Sequence, residues 1–239
     1  MGVDTHICAP AIGASLGRIV ASGLTLIENG LPRVAGLSLI VRPGEVIGLA
    51  ADSREGEELC LGLLAGHLRP TFGVLQICGT TVHSRPSRDQ LGTNLEAPPT
   101  DSTVTCGEWF EQLAAKAGCT RGEAMIRSAS ILADLKMRYQ DGTPVAELSR
   151  QERALFALGA ALVGDPPAII VKEPLRGLDD WHSGVVRSLL DRWRLEGRAV
   201  LISADPGDLN EDDCSRLYLL KGNHVTARTR LEHVRLSVP

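Results

Sequence analysis

Aromatic residues make up only 3% of this 239-residue chain, so its core must be built mainly from aliphatic side chains. Long basic runs are missing too. Lys and Arg number 25 against 29 Asp and Glu, for a net charge of −4. No block reaches nucleic-acid-binding density, which argues against a nucleic-acid partner. The interleaved charges read as a solvated surface. No stretch of 18 apolar residues occurs, so nothing in the chain is expected to span a bilayer. The start lacks a charged segment followed by an apolar one, so secretion is not indicated. The six cysteines are Cys8, Cys60, Cys78, Cys106, Cys119 and Cys214. None forms a Cys-x-x-Cys pair or a His/Cys cluster of zinc spacing, so no metal site is indicated. They read as reduced thiols of a cytosolic protein, acting as small buried hydrophobes.

What is present suits one large domain. Hydrophobic residues reach 44%, and 25 glycines and 13 prolines are spread along the chain as turns rather than as a linker. Residues 1–20 are Ala/Gly-rich and poorly patterned, which predicts a loosely held lead-in to a single domain over 21–239. Residues 37–41 read as a strand, ended by Arg42-Pro43-Gly44. Residues 45–50 form a short apolar run, as in a buried parallel strand. A polar stretch over 52–58 and a buried helix over 59–66 follow. A phosphate often sits at the helix N-terminus in such a strand–loop–helix unit. Residues 70–79 predict a turn and a strand, and 80–105 a loop. Two amphipathic helices are expected between 108 and 137, and another from Ser149 to about 163. Ser149 with Glu152 fits a capping box. Residues 168–171 and 199–203 are further buried strands, 181–195 a helix, and 217–225 a terminal hairpin. Strands alternating with helices predict an α/β fold.

The order of motifs resembles the ATP-binding subunit of ABC transporters over roughly residues 20–225. Pro43 to Leu49 resembles the strand entering the phosphate loop. Leu64-Ala65-Gly66 with Pro70, Thr71 and Gly73 resembles the stretch after it. Leu148-Ser149 opens the place of the LSGGQ signature. Asp165-Pro166, the run 169–173, Pro174 and Gly177-Leu178-Asp179 resemble the Walker B strand, its glutamate and the D-loop. Each piece is weak alone; the ordered set is specific. The resemblance implies a P-loop NTPase-like core with a mixed sheet, an antiparallel β subdomain and an inserted helical subdomain at about 97–150.

The chain departs from that family where nucleotide chemistry resides. The family's phosphate loop, GxxxxGK[ST], falls on the window opened by Ala51 and closed by Gly56, Glu57 and Glu58. Gly56 is kept. Glu57 stands where the lysine belongs, and Glu58 where the magnesium-ligating hydroxyl belongs. Such loops work because backbone N–H groups point at phosphate oxygens and lysine neutralises charge. A unit charge pair about 4 Å apart is worth roughly 4 kcal/mol at an effective dielectric near 20. Turning that attraction into repulsion moves the balance by roughly twice as much before relaxation, so ATP binding by this loop is not expected. Lys172 stands at the Walker B aspartate position, Glu96 at the Q-loop glutamine and Asp205 at the H-loop histidine. No aromatic residue lies between Leu24 and Arg33, where the family stacks adenine. Glu173 keeps the general-base position, with no held nucleotide to act on.

Two exchanges look coupled: Glu57 replaces a base and Lys172 an acid. A salt bridge from Lys172 to Glu57 or Glu58 is therefore expected, with the helix N-terminus favouring the carboxylates of Asp52, Glu55 and Glu58. The signature stretch Leu148, Ser149, Arg150, Gln151 and Glu152 either serves a partner's ATP site or simply caps a helix. By resemblance, the helical insert and the loop at Glu96 contact transmembrane subunits, and Asp179 marks the D-loop. The expected assembly is a peripheral subunit on the cytoplasmic face of the plasma (inner) membrane, paired with a competent ATP-binding chain. Such a subunit holds no cofactor of its own, ATP and magnesium being held by the partner. The alternatives are an unusual ATPase using Glu173, or a regulatory scaffold that binds no nucleotide.

Overall fold

The computed structural model describes residues 17–83, 85–96, 98, 103–205, 208–209, 212–222 and 224–228. Cys8 and residues 1–16 of the expected lead-in lie outside them. The short apolar runs become parallel strands: β3 (Val46–Ala51), β7 (Ala168–Val171) and β8 (Ala199–Ser203). Two labels follow from the sequence between and after these runs: β6 (Leu91–Thr93) and β9 (Arg216–Lys221), which flank them in the order β9-β3-β8-β7-β6. Residues 80–105 are thus not all loop. Leu91, Gly92 and Thr93 add a parallel edge strand that is too short to leave a periodic signal.

Both faces of this half-sheet are buried. Side chains on successive strand residues point to opposite faces. Val46, Ile169, Val171, Val200 and Ile202 enter one core cluster, while Ile47, Leu49, Ile170 and Leu201 enter the other. Helix α1 (Arg54–Leu64) covers the second face, through Cys60, Leu61, Leu63 and Leu64. The helices α4 (Arg150–Gly159) and α5 (Asp180–Leu195) cover the first. At about 1.5–3 kcal/mol for each fully buried Leu, Ile or Val, this two-sided burial is the main force holding the strand ends in register.

The other half of the sheet is antiparallel. It contains β1 (Ile19–Glu28), β2 (Leu31–Val41), β4 (Phe72–Ile77) and β5 (Thr80–Thr81). Ile19 and Val20 belong to β1, and Ile19 is fully buried, so the expected lead-in over 1–20 is corrected there. The strand expected at 37–41 also begins earlier. The missed signal is Asn29-Gly30, whose positive φ values of 52° and 75° form the two-residue turn that hairpins prefer. Strand β10 (His224–Arg228) pairs antiparallel with β9 and meets β2 at His224–Ala35, joining the halves into one ten-stranded sheet.

The helical insert is α2 (Cys106–Lys116) and α3 (Arg121–Asp134), each opened by a threonine capping box at Thr105 and Thr120. Its contact with the rest includes an aromatic cluster set in a core that is otherwise mainly aliphatic, as the composition requires. Trp109 and Phe110 of α2 meet Phe156 of α4, with ring centroids 5.0 and 4.5 Å away. The described cysteines are free, and Cys60, Cys106 and Cys214 are buried. Burial pushes the Cys60 thiol up to about 12, and the Cys106 and Cys214 thiols to about 11, so they stay protonated at neutral pH.

Glycine within a helix is ordinarily about 1 kcal/mol worse than alanine. At Gly159, the last residue of α4, an added Cβ would lie 2.3 Å from Cζ of Phe110 and 2.7 Å from Cγ2 of Ile131. Gly159→Ala is therefore expected to destabilise the protein by about 1–3 kcal/mol. The urea midpoint should fall; a rise would mean that the ring cluster has room to spare.

Candidate functional site

The loops of interest lie at the carboxyl ends of β3, β6, β7 and β8, where open α/β sheets form their crevices. After Ala51, the last residue of β3, only Asp52 and Ser53 separate strand from helix. Asp52 is anchored to the β9–β10 turn. Its N–H donates to the Leu220 carbonyl at 3.1 Å, and its carboxylate accepts from the Gly222 N–H at 2.7 Å. Ser53 is the N-cap of α1. Its Oγ accepts from the Gly56 N–H at 3.1 Å, and its carbonyl from the Glu57 N–H at 3.1 Å. The polar stretch expected over 52–58 is thus mostly helix, and the helix expected at 59 begins at Arg54. A capping serine followed by Glu55 and Glu57 in the first turn was the local signal for this start. Gly56 also sits against β9: an added Cβ would lie 2.6 Å from Cδ2 of Leu220.

The acidic side chains here are disposed differently. Glu55 pairs with Arg33. Glu57 is buried, and no hydrogen bond or ion pair joins its carboxylate to another side chain among the described residues. Glu58 accepts from Nζ of Lys172 at 2.9 Å and from Nε of Arg54 at 3.2 Å. The expected bridge therefore exists, through Glu58 and not Glu57. Lys172 itself is fixed by a residue that the sequence reading passed over. Asn94 accepts from the Lys172 N–H at 2.7 Å and donates to the Lys172 carbonyl at 3.2 Å, carrying the β6–β7 pairing past the strand ends. The hydrogen bond from Lys172, with help from Arg54, holds the Glu58 carboxyl below the usual carboxylate range.

Glu173 follows Lys172 in a left-handed backbone, with φ 44°. Its N–H donates to the Ser203 carbonyl at 3.0 Å and to Ser203 Oγ at 3.1 Å, so β8 fixes this turn. Its carboxylate pairs with Arg176. Asp205 lies just past β8 and is exposed. Burial, and then the charge of Asp205 with a smaller share from Glu173, holds the nearby Asp208 carboxyl above its ordinary value against the pull of Arg176. Glu96 is held by Arg85 at 2.5 Å and Arg88 at 2.7 Å. Burial raises its pKa, but the two arginines outweigh burial and bring it below the ordinary value.

The signature stretch is a helix start. Leu148 is buried, and Ser149 caps α4 by accepting from the Glu152 N–H at 3.2 Å. Glu152 returns to the Ser149 N–H at 2.9 Å and also accepts from Gln140 at 2.6 Å. Gln151 ties this helix to the D-loop, donating to the Gly177 carbonyl at 3.2 Å and accepting from the Asp179 N–H at 3.4 Å. Arg150 passes close to Gly177. Asp179 caps α5 through the His182 N–H at 2.9 Å. Among the described residues, no hydrogen bond or ion pair links Leu148, Ser149, Arg150, Gln151 or Glu152 to residues 51–58, and no group of three or more His, Cys, Asp or Glu is placed to hold a metal.

No protein-family model matches the chain. It is 30% identical over 196 residues to Nod factor export ATP-binding protein I of Burkholderia pseudomallei, covering 79% of this chain and 62% of that protein. It is 25% identical over 222 residues to an ABC transporter ATP-binding protein of Streptomyces avermitilis, covering 92% of this chain and 39% of that one. The chain thus spans less than two thirds of the length of each of these relatives. Among solved structures, a dimeric ATP-binding cassette bound to ADP and Pi superposes with a TM-score of 0.77 at 18% identity, covering 88% of this chain and 98% of that one. The fold is that of the ABC ATPase cassette. With the sequence similarity, the chain is an ATP-binding cassette domain of the ABC transporter type.

The Glu58–Lys172 pair gives a test of this geometry. A depressed carboxylate pKa contributes stability above the ordinary carboxylate pKa, and that contribution is lost as pH falls through the depressed value. Lys172→Met should move the NMR titration of Glu58 upward toward the ordinary range. An unchanged titration would mean that the pair is not formed in solution.

Proposed function

We propose that this chain is the nucleotide-binding subunit of an ABC transporter whose own phosphate loop does not hold ATP, and that it pairs with a second chain that does. The observation that carries this reading is the closed start of α1. The amide N–H groups of Gly56 and Glu57 are already bonded to Ser53, and the side chains that follow are carboxylates. A phosphate chain entering here would meet spent donors and negative charge. It would find Lys172, at the magnesium-side position, engaged with Glu58. These residues do not fit a nucleotide–magnesium pair. A loss of a few kcal/mol is enough to remove micromolar binding. The bridge is partly exposed, with side-chain exposures of 22% and 51%, so it contributes little to stability. Its role is to satisfy the two exchanged charges with each other when no ligand is held.

The subunit sits at the cytoplasmic face of the membrane through transmembrane partners. No helix among the described residues is long and apolar enough to cross a bilayer. The stake in ATP chemistry that remains is Ser149 and Arg150, offered to the nucleotide of the partner chain. A second reading, an unusual ATPase working through Glu173, is disfavoured by the engagement of that carboxylate with Arg176.

Labelled ATP separates the readings. The purified chain alone should show no saturable micromolar binding, and saturable binding would overturn the proposal. With its partner present, Ser149→Ala or Arg150→Ala should lower the partner's ATP hydrolysis several-fold. Unchanged hydrolysis would leave the scaffold reading and remove the composite site.

A further inference from the structure

Helix α1 points its N-terminus at the site, and its C-terminus opens onto a different feature, about 15 Å away at 1.5 Å per residue. There the chain turns at Gly66, with φ 71°. The N–H groups of His67 and Leu68 both donate to the Gly62 carbonyl, at 2.8 and 2.9 Å. This folds Leu68 back over the helix and leaves His67 and Arg69 exposed beside it. A groove of about 700 Å³ lies between this turn and the β4–β5 hairpin. His67, Arg69, His83 and Arg85 line it, and among the described residues no carboxylate does. Leu68 and Val82, partly buried against the core, also line it.

The charges around the groove are unbalanced. Among the described residues, Arg69 makes no hydrogen bond and no ion pair. Arg85 and Arg88 share the single carboxylate of Glu96. Burial, and then repulsion from Arg85, holds the His67 pKa below its ordinary value, so at neutral pH His67 is a neutral hydrogen-bonding group. The positive charge of the rim therefore comes from the arginines. Beside it, strand β4 presents apolar surface to solvent: Val74, which lines the groove, is 42% exposed, and Phe72 is 63% exposed. A hydrophilic sugar phosphate has no use for that apolar surface. An amphiphile uses both parts.

We propose that this groove binds the phosphate headgroup of an anionic lipid. Arg69 and Arg85 take the phosphate, the apolar lining takes the glycerol and first acyl carbons, and Phe72 and Val74 enter the interface. Basic residues near an anionic leaflet, and apolar side chains at its boundary, each add to such binding. The contact is direct, so it supplements any hold through partner subunits. It rests on the groove alone and stands whether or not the cassette binds ATP. Glu96 competes with the lipid phosphate for Arg85. The loop at the family's Q-loop position would thus be released when a headgroup arrives.

The full chain should co-sediment with phosphatidylcholine–phosphatidylglycerol vesicles at low salt, and about tenfold less with phosphatidylcholine alone. Arg69→Glu should weaken the binding to mixed vesicles about tenfold. Glu96→Gln should strengthen it several-fold by freeing Arg85. Equal recovery with neutral vesicles, or binding indifferent to Arg69→Glu, would overturn the proposal. A Glu96→Gln protein that binds no better would remove Arg85 from the site. Saturable binding of glycerol 3-phosphate without vesicle binding would overturn the lipid assignment in favour of a soluble ligand.

Discussion

Everything at the candidate site hangs on burial of the parallel half-sheet from both sides. Strands β3, β7 and β8 are four to six residues long and have no exposed face on which register could slip. A one-residue shift would exchange Ile47 and Leu49 with Val46 and Ala50 between two cores that are each already filled. The strand ends are therefore fixed, and with them Asp52, Lys172, Glu173 and Asp205. The loops add individual polar bonds to this frame, among them Gly56 to Ser53, Lys172 to Asn94, Glu173 to Ser203 and Gly222 to Asp52. The scaffold can consequently tolerate the exchange of nearly every polar residue at these ends while the fold persists.

That asymmetry explains which parts of the structure were legible in the sequence. The buried strands, the helical insert, the terminal hairpin and the capping box at Ser149 announce themselves by apolar runs, by 3.6-residue periodicity or by a cap spacing. Strand β6 was missed because three residues carry no period, and because its identity comes from pairing with β7 rather than from its own side chains. The first strand was hidden by Gly/Ala-rich surroundings, although its Asn29-Gly30 turn stood in plain view. The start of α1 was misplaced for a different reason. The polar run over 52–58 was separated from the apolar run after it, while Ser53 and the acids that follow obey the ordinary rules for a helix N-terminus. Apolar content marks the buried face of a helix, while the cap marks where it starts.

At the site, the complementary charges of Lys172 and the α1 carboxylates were readable from the exchange of acid for base. The choice of Glu58 over Glu57 was not. It depends on helical phase: starting α1 at Arg54 buries Glu57 against the sheet and leaves Glu58 on the open side, within reach of Lys172 and Arg54. The partners of Glu96 and Glu173 were equally invisible, since Arg85, Arg88 and Arg176 lie in loops with no motif of their own. Their effect is consistent. Glu58, Glu96 and Glu173 are each matched to a nearby base, and Glu152 and Asp179 are spent on caps.

The bridge between the two halves of the sheet has a mechanical meaning. Among the described residues, strand β10 runs beside β9 along its length but meets β2 at one rung, His224 and Ala35. Backbone pairing across this seam is therefore thin, and the apolar layer that packs Val34, Leu37 and Leu39 of β2 with Ile47 and Leu49 of β3 and with α1 carries most of the join. The β9–β10 turn also holds Asp52, so the hairpin that forms this seam is tied directly to the start of α1. Through Asp52, the join between the two halves of the sheet shares an anchor with the helix that spans from the charged strand ends to the basic groove.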